Sequence, residues 1–272
     1  MIHNTVDINI HGCNAKLTLY LIGNSKELYD GLLRPLVLIC PGGAYAMTSD
    51  REAEGVALKY MAMGYHAAVL RYSTAPETHY PTALLQLAKS VLFLREHAEE
   101  WYIDQSKIAV AGFSAGGHLT ACYGCFWKRV FIAEALGCEE NQEMLRPNAL
   151  ILSYPVISAG KFGHERSLRN LLGEAYEEKK EEFSLEKQVN EDVPPVFLWA
   201  TFEDGTVDVE NSLLFVWALR EKGILTEFHM FSDGPHGLGT AGKLTMSADG
   251  RGIQKECETW MELSDVWMQK HL

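Results

Sequence analysis

Hydrophobic and polar positions along the chain follow the periods of strands and helices in turn. Two alternating segments near the start, Val6 to Ile10 and Lys16 to Ile22, predict a pair of strands. Six later segments also have strand length, and the continuously apolar ones among them are typical of strands buried on both faces. These segments are PLVLIC (35–40), YHAAVLRY (65–72), KIAVAG (107–112), ALILSYP (149–155), PPVFLWA (194–200) and LTEFHMF (225–231).

Segments whose apolar residues recur at helical spacing lie between these strands. The clearest follows Pro81, a residue favoured at the first position of a helix, and its apolar side chains recur every three or four residues. Strands that alternate with helices of this length predict an α/β fold, with a mostly parallel sheet of about eight strands covered on both faces. The predicted helices cover residues 51–63, 81–98, 115–127, 211–222 and 253–271.

One charged stretch interrupts this alternation. Residues 158–192 show no clear period and contain the run EEKKEE at residues 177–182, which predicts a solvated surface. We expect this stretch to be an insertion that caps a site on the domain below it. No repeat, low-complexity tract or linker divides the chain, so the sequence predicts a single domain over residues 1–272.

Composition and charge restrict the classes of partner. The 272 residues are 47% hydrophobic and 22% charged, which is ordinary for a soluble globular protein. The formal net charge is -12 and no Lys/Arg cluster occurs, so we expect neither a nucleic acid nor a membrane as partner. The acidic balance also weakly disfavours anionic substrates. Both a monomer and a homo-oligomer remain open.

Localisation and cofactors are inferred from patterns that the sequence lacks. No basic stretch followed by an apolar run marks the N-terminus, and no apolar run is long enough to span a bilayer, so we expect a cytoplasmic protein. The six cysteines lack disulfide-framework spacing and are expected to be reduced thiols. Cys122 and Cys125 form a CxxC without a second pair, which argues against zinc. We expect no metal and no cofactor.

The stretch GFSAGGH, residues 112–118, carries the first candidate for chemistry. It lies between a predicted strand and a predicted helix, where its G-x-S-x-G pattern predicts a nucleophile elbow. Glycines are needed at 112 and 116 because a Cβ atom there would crowd the neighbouring strand and helix. We therefore predict Ser114 as a nucleophile. The alternative is a glycine-rich bend that happens to hold a serine.

A serine hydroxyl needs a base, and the chain has ten histidines. His236 is preferred because it lies in a loop directly after the last predicted strand; the alternative is an exposed loop histidine. The loop after PPVFLWA offers Glu203, Asp204 and Asp208 as the carboxylate that orients an imidazole. We prefer Asp204, since Glu203 has a longer side chain and Asp208 also fits the N-cap of the next helix. The order Ser, Asp, His is the one this elbow architecture uses.

Backbone donors for an oxyanion are predicted at two places. The turn PGGAY, residues 41–45, follows the first buried strand, and its glycines let the backbone direct N–H groups toward a bound carbonyl oxygen. Gly43 and Ala44 are the candidates there, joined by Ala115 at the positive end of the helix after Ser114. The alternative for PGGAY is an ordinary turn at the end of a strand.

Together these stretches resemble the α/β-hydrolase superfamily, and within it the esterase/lipase branch and the bacterial acetyl xylan esterase-like hydrolases of sugar esters. The resemblance implies Ser114 as nucleophile, Asp204 as acid and His236 as base. Pro41 stands where many relatives have histidine, and Asp208 where relatives commonly have proline, which keeps the choice between the two aspartates open. The matching stretches are LVLICPGGAY, AVLRYSTAP, KIAVAGFSAGGHLTA, PPVFLWATFEDGTVDVENSLLF and FSDGPHGLG.

The function implied by the residues and by this resemblance is that of a serine carboxylesterase. Its expected partner is a small-molecule ester with a small, acetyl-type acyl group, and acetylated sugars are candidate substrates. Two alternatives remain at this stage: a small serine exopeptidase of the same fold, and a non-catalytic binding protein built on it.

Overall fold

One sheet of eight strands forms the centre of the protein in a computed structural model that describes residues 1–272. The strand bounds fall close to those predicted, although several strands extend further. In chain order the strands are β1 (Ile2–Ile10), β2 (Cys13–Leu21), β3 (Arg34–Cys40), β4 (His66–Arg71), β5 (Ile103–Phe113), β6 (Ala149–Ser153), β7 (Val196–Thr201) and β8 (Thr226–Phe231).

The order of strands across the sheet is β1-β2-β4-β3-β5-β6-β7-β8. β1 and β2 form an antiparallel pair, and β2 is antiparallel to β4. All neighbours from β4 to β8 are parallel. Parallel neighbours need crossover connections, and helical segments between the strands supply them. The predicted mostly parallel α/β sheet is confirmed.

The helices deviate from the prediction where a predicted helix is broken and where a short helix was not predicted, as at residues 130–136, 165–172 and 176–179. The segment predicted as 253–271 divides into two helices near Thr259, and the segment predicted as 51–63 begins with a 3-10 turn at Asp50–Glu52. In chain order the helices are α1 (Glu54–Ala62), α2 (Thr82–Glu96), α3 (Ala98–Trp101), α4 (Ser114–Phe126), α5 (Val130–Leu136), α6 (Glu165–Leu172), α7 (Tyr176–Lys179), α8 (Glu210–Glu221), α9 (Lys255–Glu258) and α10 (Trp260–His271).

Helices cover both faces of the sheet, and the apolar side chains of the strands divide between them. On β3, Leu36 and Leu38 belong to one buried cluster, whereas Val37 and Ile39 belong to the other. Successive strand residues point to opposite faces, so a central strand needs apolar side chains at every position. Burial on both faces therefore explains the continuous apolar runs in the sequence.

The stretch 158–192 is more ordered than the sequence predicts. It contains α6, α7 and several 3-10 turns, and it buries Leu168, Phe183 and Leu185 completely. The expectation of irregular structure is wrong here because a few apolar side chains pack onto the domain between long charged runs. The EEKKEE run itself is exposed or half-buried, as predicted.

Two further sequence expectations concern thiols and membranes. All six cysteines are free, and Cys40, Cys122, Cys125 and Cys257 are buried. No helix combines the length and the apolar composition that crossing a bilayer requires.

Candidate active site

Ser114 lies at the turn from β5 into α4, at the carboxyl edge of the parallel strands. Its φ of 53° lies in the left-handed region, which is unfavourable for a residue with a side chain. A Cβ atom at Gly112 would overlap the Gly116 carbonyl and the Thr120 hydroxyl, and one at Gly116 would overlap the carbonyls of Cys40 and Pro41. The glycines thus permit the close packing that this sharp turn needs, as the sequence predicts.

The three residues predicted from the sequence as a catalytic set form one chain of hydrogen bonds. Ser114 Oγ lies 2.7 Å from His236 Nε2, and His236 Nδ1 lies 2.6 Å from Asp204 Oδ2. A carboxylate can only accept, so Nδ1 carries a proton and Nε2 is left to accept the serine proton. This arrangement can draw the proton from Ser114 and make its oxygen nucleophilic.

Asp204 is the carboxylate that meets the imidazole. Its side chain is 1% exposed, and its second oxygen accepts hydrogen bonds from the backbone N–H groups of Thr206 (2.9 Å) and Val207 (3.0 Å). Asp208 is exposed, and no side-chain bond from it caps α8; Glu203 is exposed as well. The structure therefore brings Asp204 to His236 and leaves the other two carboxylates outside.

The PGGAY turn presents two unused donors beside Ser114. The backbone N–H groups of Gly43 and Ala44 make no hydrogen bond within the chain, and both residues line the cavity that contains Ser114. Ala44 has a φ of 54° and Gly43 a φ of 129°, so the turn holds an unfavourable backbone conformation. Ala115 is fully buried behind Ser114, and as the second residue of α4 its N–H has no partner within the helix.

Comparison with known proteins places the chain in a family. A family model described as BD-FAE matches residues 24–219. The chain belongs to the BD-FAE family. The chain is also 39% identical over 220 residues to endo-1,4-beta-xylanase B of Butyrivibrio fibrisolvens, a match that covers 78% of this chain and 34% of that protein. This BD-FAE member thus spans about a third of the length of that curated relative.

Solved structures show the same architecture. A carboxylesterase from Lactobacillus plantarum superposes with a TM-score of 0.86 at 27% identity, covering 99% of this chain and 98% of that one. An acetyl ester-xyloside bifunctional hydrolase from Caldicellulosiruptor lactoaceticus gives 0.79 at 32% identity, covering 95% and 88%. With the eight-stranded sheet, these similarities establish that the BD-FAE member has the α/β-hydrolase fold that the sequence predicts.

Tyr154 and Glu52 support the site, and the sequence reasoning missed both. The Tyr154 ring packs edge-on against His236, with centroids 4.9 Å apart. Its hydroxyl donates to Glu52 Oε1 (2.8 Å) and accepts from the Gly239 N–H (2.9 Å). Glu52 Oε2 accepts from the Gly42 N–H at 2.8 Å, so one buried carboxylate joins the PGGAY turn to the loop that carries His236.

Burial raises the pKa of Glu52, while the nearby His236 and the donated hydrogen bonds oppose that rise. The only sequence signal for this residue was an acidic side chain at the amphipathic start of a predicted helix. Such a signal does not distinguish a buried carboxylate from a solvated one. Its role becomes visible only when β3, β6 and the His236 loop are assembled.

Two histidines close to the site have different environments. His118 is fully buried on α4; its Nδ1 meets the Tyr45 hydroxyl (3.0 Å) and its Nε2 the Phe183 carbonyl (3.1 Å). Burial lowers the pKa of His118 to about 4, so the ring is neutral at pH 7. It packs rather than reacts. His164, which the sequence reasoning did not consider, lines the cavity.

The cavity in front of Ser114 has a volume of about 520 Å³ and few apolar side chains in its lining. The stretch 158–192 contributes His164 and Arg166 to this lining. Burial first, and then the charges of His236 and Arg166, lower the pKa of His164. Asn170 on α6 also donates from Nδ2 to the Ala44 carbonyl at 2.8 Å, which connects this stretch to the PGGAY turn. The lining residues are Gly43, Ala44, Ala46, Met47, Ser49, Arg51, Glu52, Ser114, His164, Arg166, Thr206, His236 and Gly237.

Proposed function

We propose that this BD-FAE member is a serine carboxylesterase that hydrolyses small-acyl, acetyl-type esters, with acetylated sugars as candidate substrates. The observation that carries the proposal is the continuous contact from Ser114 through His236 to Asp204, at 2.7 and 2.6 Å. Ser114 and His236 line a cavity together with Gly43 and Ala44. The N–H groups of these two residues make no hydrogen bond within the chain.

In the proposed first step, Ser114 Oγ attacks the ester carbonyl while His236 Nε2 takes the hydroxyl proton. Asp204 accepts the Nδ1–H bond and stabilises the imidazolium that forms. The tetrahedral oxyanion accepts hydrogen bonds from Gly43 and Ala44, with Ala115 as the third donor. Each such donor typically stabilises the transition state by about 3 kcal/mol.

In the proposed second step, His236 gives its proton to the departing alcohol, which leaves an acyl group on Ser114. A water molecule then attacks the acyl-enzyme as His236 removes one of its protons. Collapse of this second tetrahedral species releases the acid and regenerates the serine. The two proposed steps involve no metal or cofactor.

The acyl preference rests on the cavity and on the relatives. A cavity of about 520 Å³ with few apolar side chains suits a short acyl group and a polar alcohol better than a long fatty chain. The relative from Caldicellulosiruptor lactoaceticus is named as a hydrolase of acetyl esters. We propose that the stretch 158–192 caps this cavity, because it supplies His164 and Arg166 to the lining.

Hydrolysis of p-nitrophenyl acetate, butyrate and octanoate by the wild type and by Ser114→Ala tests this proposal. We expect activity to fall from acetate to octanoate, and the variant to lose about 10⁴-fold or more in kcat. Equal rates for the wild type and Ser114→Ala on all three esters would refute the serine mechanism. A p-nitroanilide substrate assayed in parallel distinguishes the exopeptidase alternative, and labelling by a fluorophosphonate probe distinguishes the non-catalytic one.

A further inference from the structure

The charge of the active-site cavity is opposite to that of the chain. The protein carries a formal net charge of -12. The cavity lining nevertheless includes two arginines, Arg51 and Arg166, and a single carboxylate, Glu52. Neither arginine makes an ion pair, whereas other arginines of the chain, among them Arg71, Arg129 and Arg169, pair with Asp or Glu.

Arg51 is held directly beside the proposed catalytic base. Its Nη1 donates to the Gly237 carbonyl at 3.0 Å and its Nη2 to Ser247 Oγ at 2.8 Å. Both acceptors are neutral, so the charge of Arg51 is not neutralised by them. A guanidinium has more N–H donors than these two bonds use, and the remaining ones are free to bind a planar anion.

Arg166 lies on α6, and its side chain makes no hydrogen bond or ion pair with another residue, unlike that of Arg169 on the same helix. Its charge acts on His164, another residue of the lining, whose pKa it helps to lower. An arginine on the surface normally contributes little to the free energy of folding. One that lines the cavity instead places a positive charge where a ligand binds.

The one carboxylate of the lining does not cancel these charges. Glu52 is 3% exposed, and both of its oxygens already accept hydrogen bonds, one from Tyr154 and one from Gly42. Its charge faces the interior rather than a ligand. Ser49 and Thr206 add hydroxyl groups to the lining, which are further donors for an oxyanion of the ligand.

We infer that the site takes esters that carry a carboxylate, and that Arg51 and Arg166 bind that carboxylate. This inference rests on the proposed function, because it names the substrate class of the same site. The carboxylate belongs either to the alcohol, as in a uronate sugar, or to the acyl group, as in the half-ester of a dicarboxylic acid. This inference replaces the expectation, drawn from the net charge of the whole chain, that anionic substrates are disfavoured.

Two matched ester pairs test the inference and distinguish the two sources. Mono(p-nitrophenyl) succinate against p-nitrophenyl butyrate tests the acyl side, and acetylated methyl glucuronide against acetylated methyl glucoside tests the alcohol side. In at least one pair we expect kcat/KM to favour the anionic member by about tenfold. That ratio should approach one in Arg166→Gln and in the double variant with Arg51→Gln. It should also fall as salt is raised.

Arg220→Gln is the matched control, since Arg220 is an exposed arginine on α8 outside the cavity. This variant should keep the wild-type ratio. Rates on the neutral esters report any disturbance that Arg51→Gln causes in the His236 loop. No preference for the anionic member in either pair, or a preference that survives the double variant, would overturn the inference while the esterase proposal stands.

Loss of all ester hydrolysis would instead contradict the proposed function. The inference is then decided by calorimetric binding of succinate and of methyl glucuronide, neither of which needs to react. Binding of one of them that weakens about tenfold in the double variant supports the arginine site. Absence of binding by both, under conditions where the wild type is folded, refutes it.

Discussion

The turn around Ser114 and the stretch 158–192 contribute to the same cavity in different ways. In the turn, the strand, the glycines and the helix that position the serine follow one another within residues 103–126. In 158–192, the residues that reach the site, His164, Arg166 and Asn170, lie among charged side chains with no motif around them. The position of Ser114 is thus specified by local sequence, whereas the rest of the cavity depends on packing between distant segments.

The two regions also differ in burial. All residues of α4 are buried, and the helix lies in the closely packed layer next to β5. In 158–192 the charged side chains are exposed or half-buried, and a small set of apolar residues holds the segment to the domain. Substitutions in the turn should therefore affect folding and chemistry strongly, and substitutions in 158–192 should have smaller effects.

The largest effect is expected from Gly116→Ala. The added Cβ would overlap two backbone carbonyls, which cannot move without separating β3 from α4. We expect the free energy of unfolding to fall by about 4 kcal/mol or more, measured by urea denaturation. Gly205→Ala is the control, because nothing lies within 4 Å of its Cβ position. Equal stability of the two variants would contradict the close packing described for the elbow.

Asp204→Asn should lower activity strongly while the protein still folds normally. The asparagine cannot stabilise the imidazolium and favours the wrong tautomer of His236, so we expect kcat to fall by about 10⁴-fold. Asp208→Asn is the matched control, and because Asp208 is exposed its effect should stay within about twofold. Steady-state kinetics on p-nitrophenyl acetate measures both variants. A larger loss of kcat in Asp208→Asn than in Asp204→Asn would show that Asp208, and not Asp204, acts with His236.

Acid should weaken the attachment of the stretch 158–192 through His118. The folded-state pKa of His118, about 4, lies below the ordinary value for histidine of 6.5. The unfolded chain therefore binds more protons between these values, and stability falls as the pH falls from 6.5 toward 4. We expect a loss of about 2 kcal/mol between pH 7 and pH 5 from this residue.

Urea denaturation of the wild type and of His118→Gln at the two pH values measures this effect. Buried His66, whose pKa is lowered by burial to about 4, contributes a similar loss in both proteins and cancels in the comparison. The variant should therefore lose less stability on acidification than the wild type. An identical pH dependence in the two proteins would show that His118 is not the titrating group.

A smaller effect is expected from Asn170→Ala, which tests the contact between α6 and the PGGAY turn. Loss of the bond to the Ala44 carbonyl should let the turn move, and we expect kcat to fall by about fivefold with little change in KM. Glu178→Ala, at an exposed position of the same stretch, should leave kcat unchanged. A pure KM effect in Asn170→Ala would instead place Asn170 in substrate binding.

Much of the fold followed from the sequence because its signals were local. The buried strands gave continuous apolar runs, and GFSAGGH identified the elbow between a strand and a helix. The loop after β8 identified His236 because a histidine there extends from the carboxyl end of the sheet, where β5 also ends. The break near Thr259 and the order within 158–192 were missed because their signals are short and depend on what packs against them.

The sequence by itself determined the order of the strands and of the longer helices, the glycine-flanked turn at Ser114 and the candidates for its partners, since each depends on residues that are adjacent in the chain. Only the tertiary structure placed Asp204 rather than Asp208 against the imidazole, because a few residues of difference within one loop determine which carboxylate reaches it. Only the tertiary structure brought Glu52 beneath Tyr154 and placed Arg51 and Arg166 on one cavity. Net charge sums over the whole surface, whereas a substrate meets the local field of the groups that surround it.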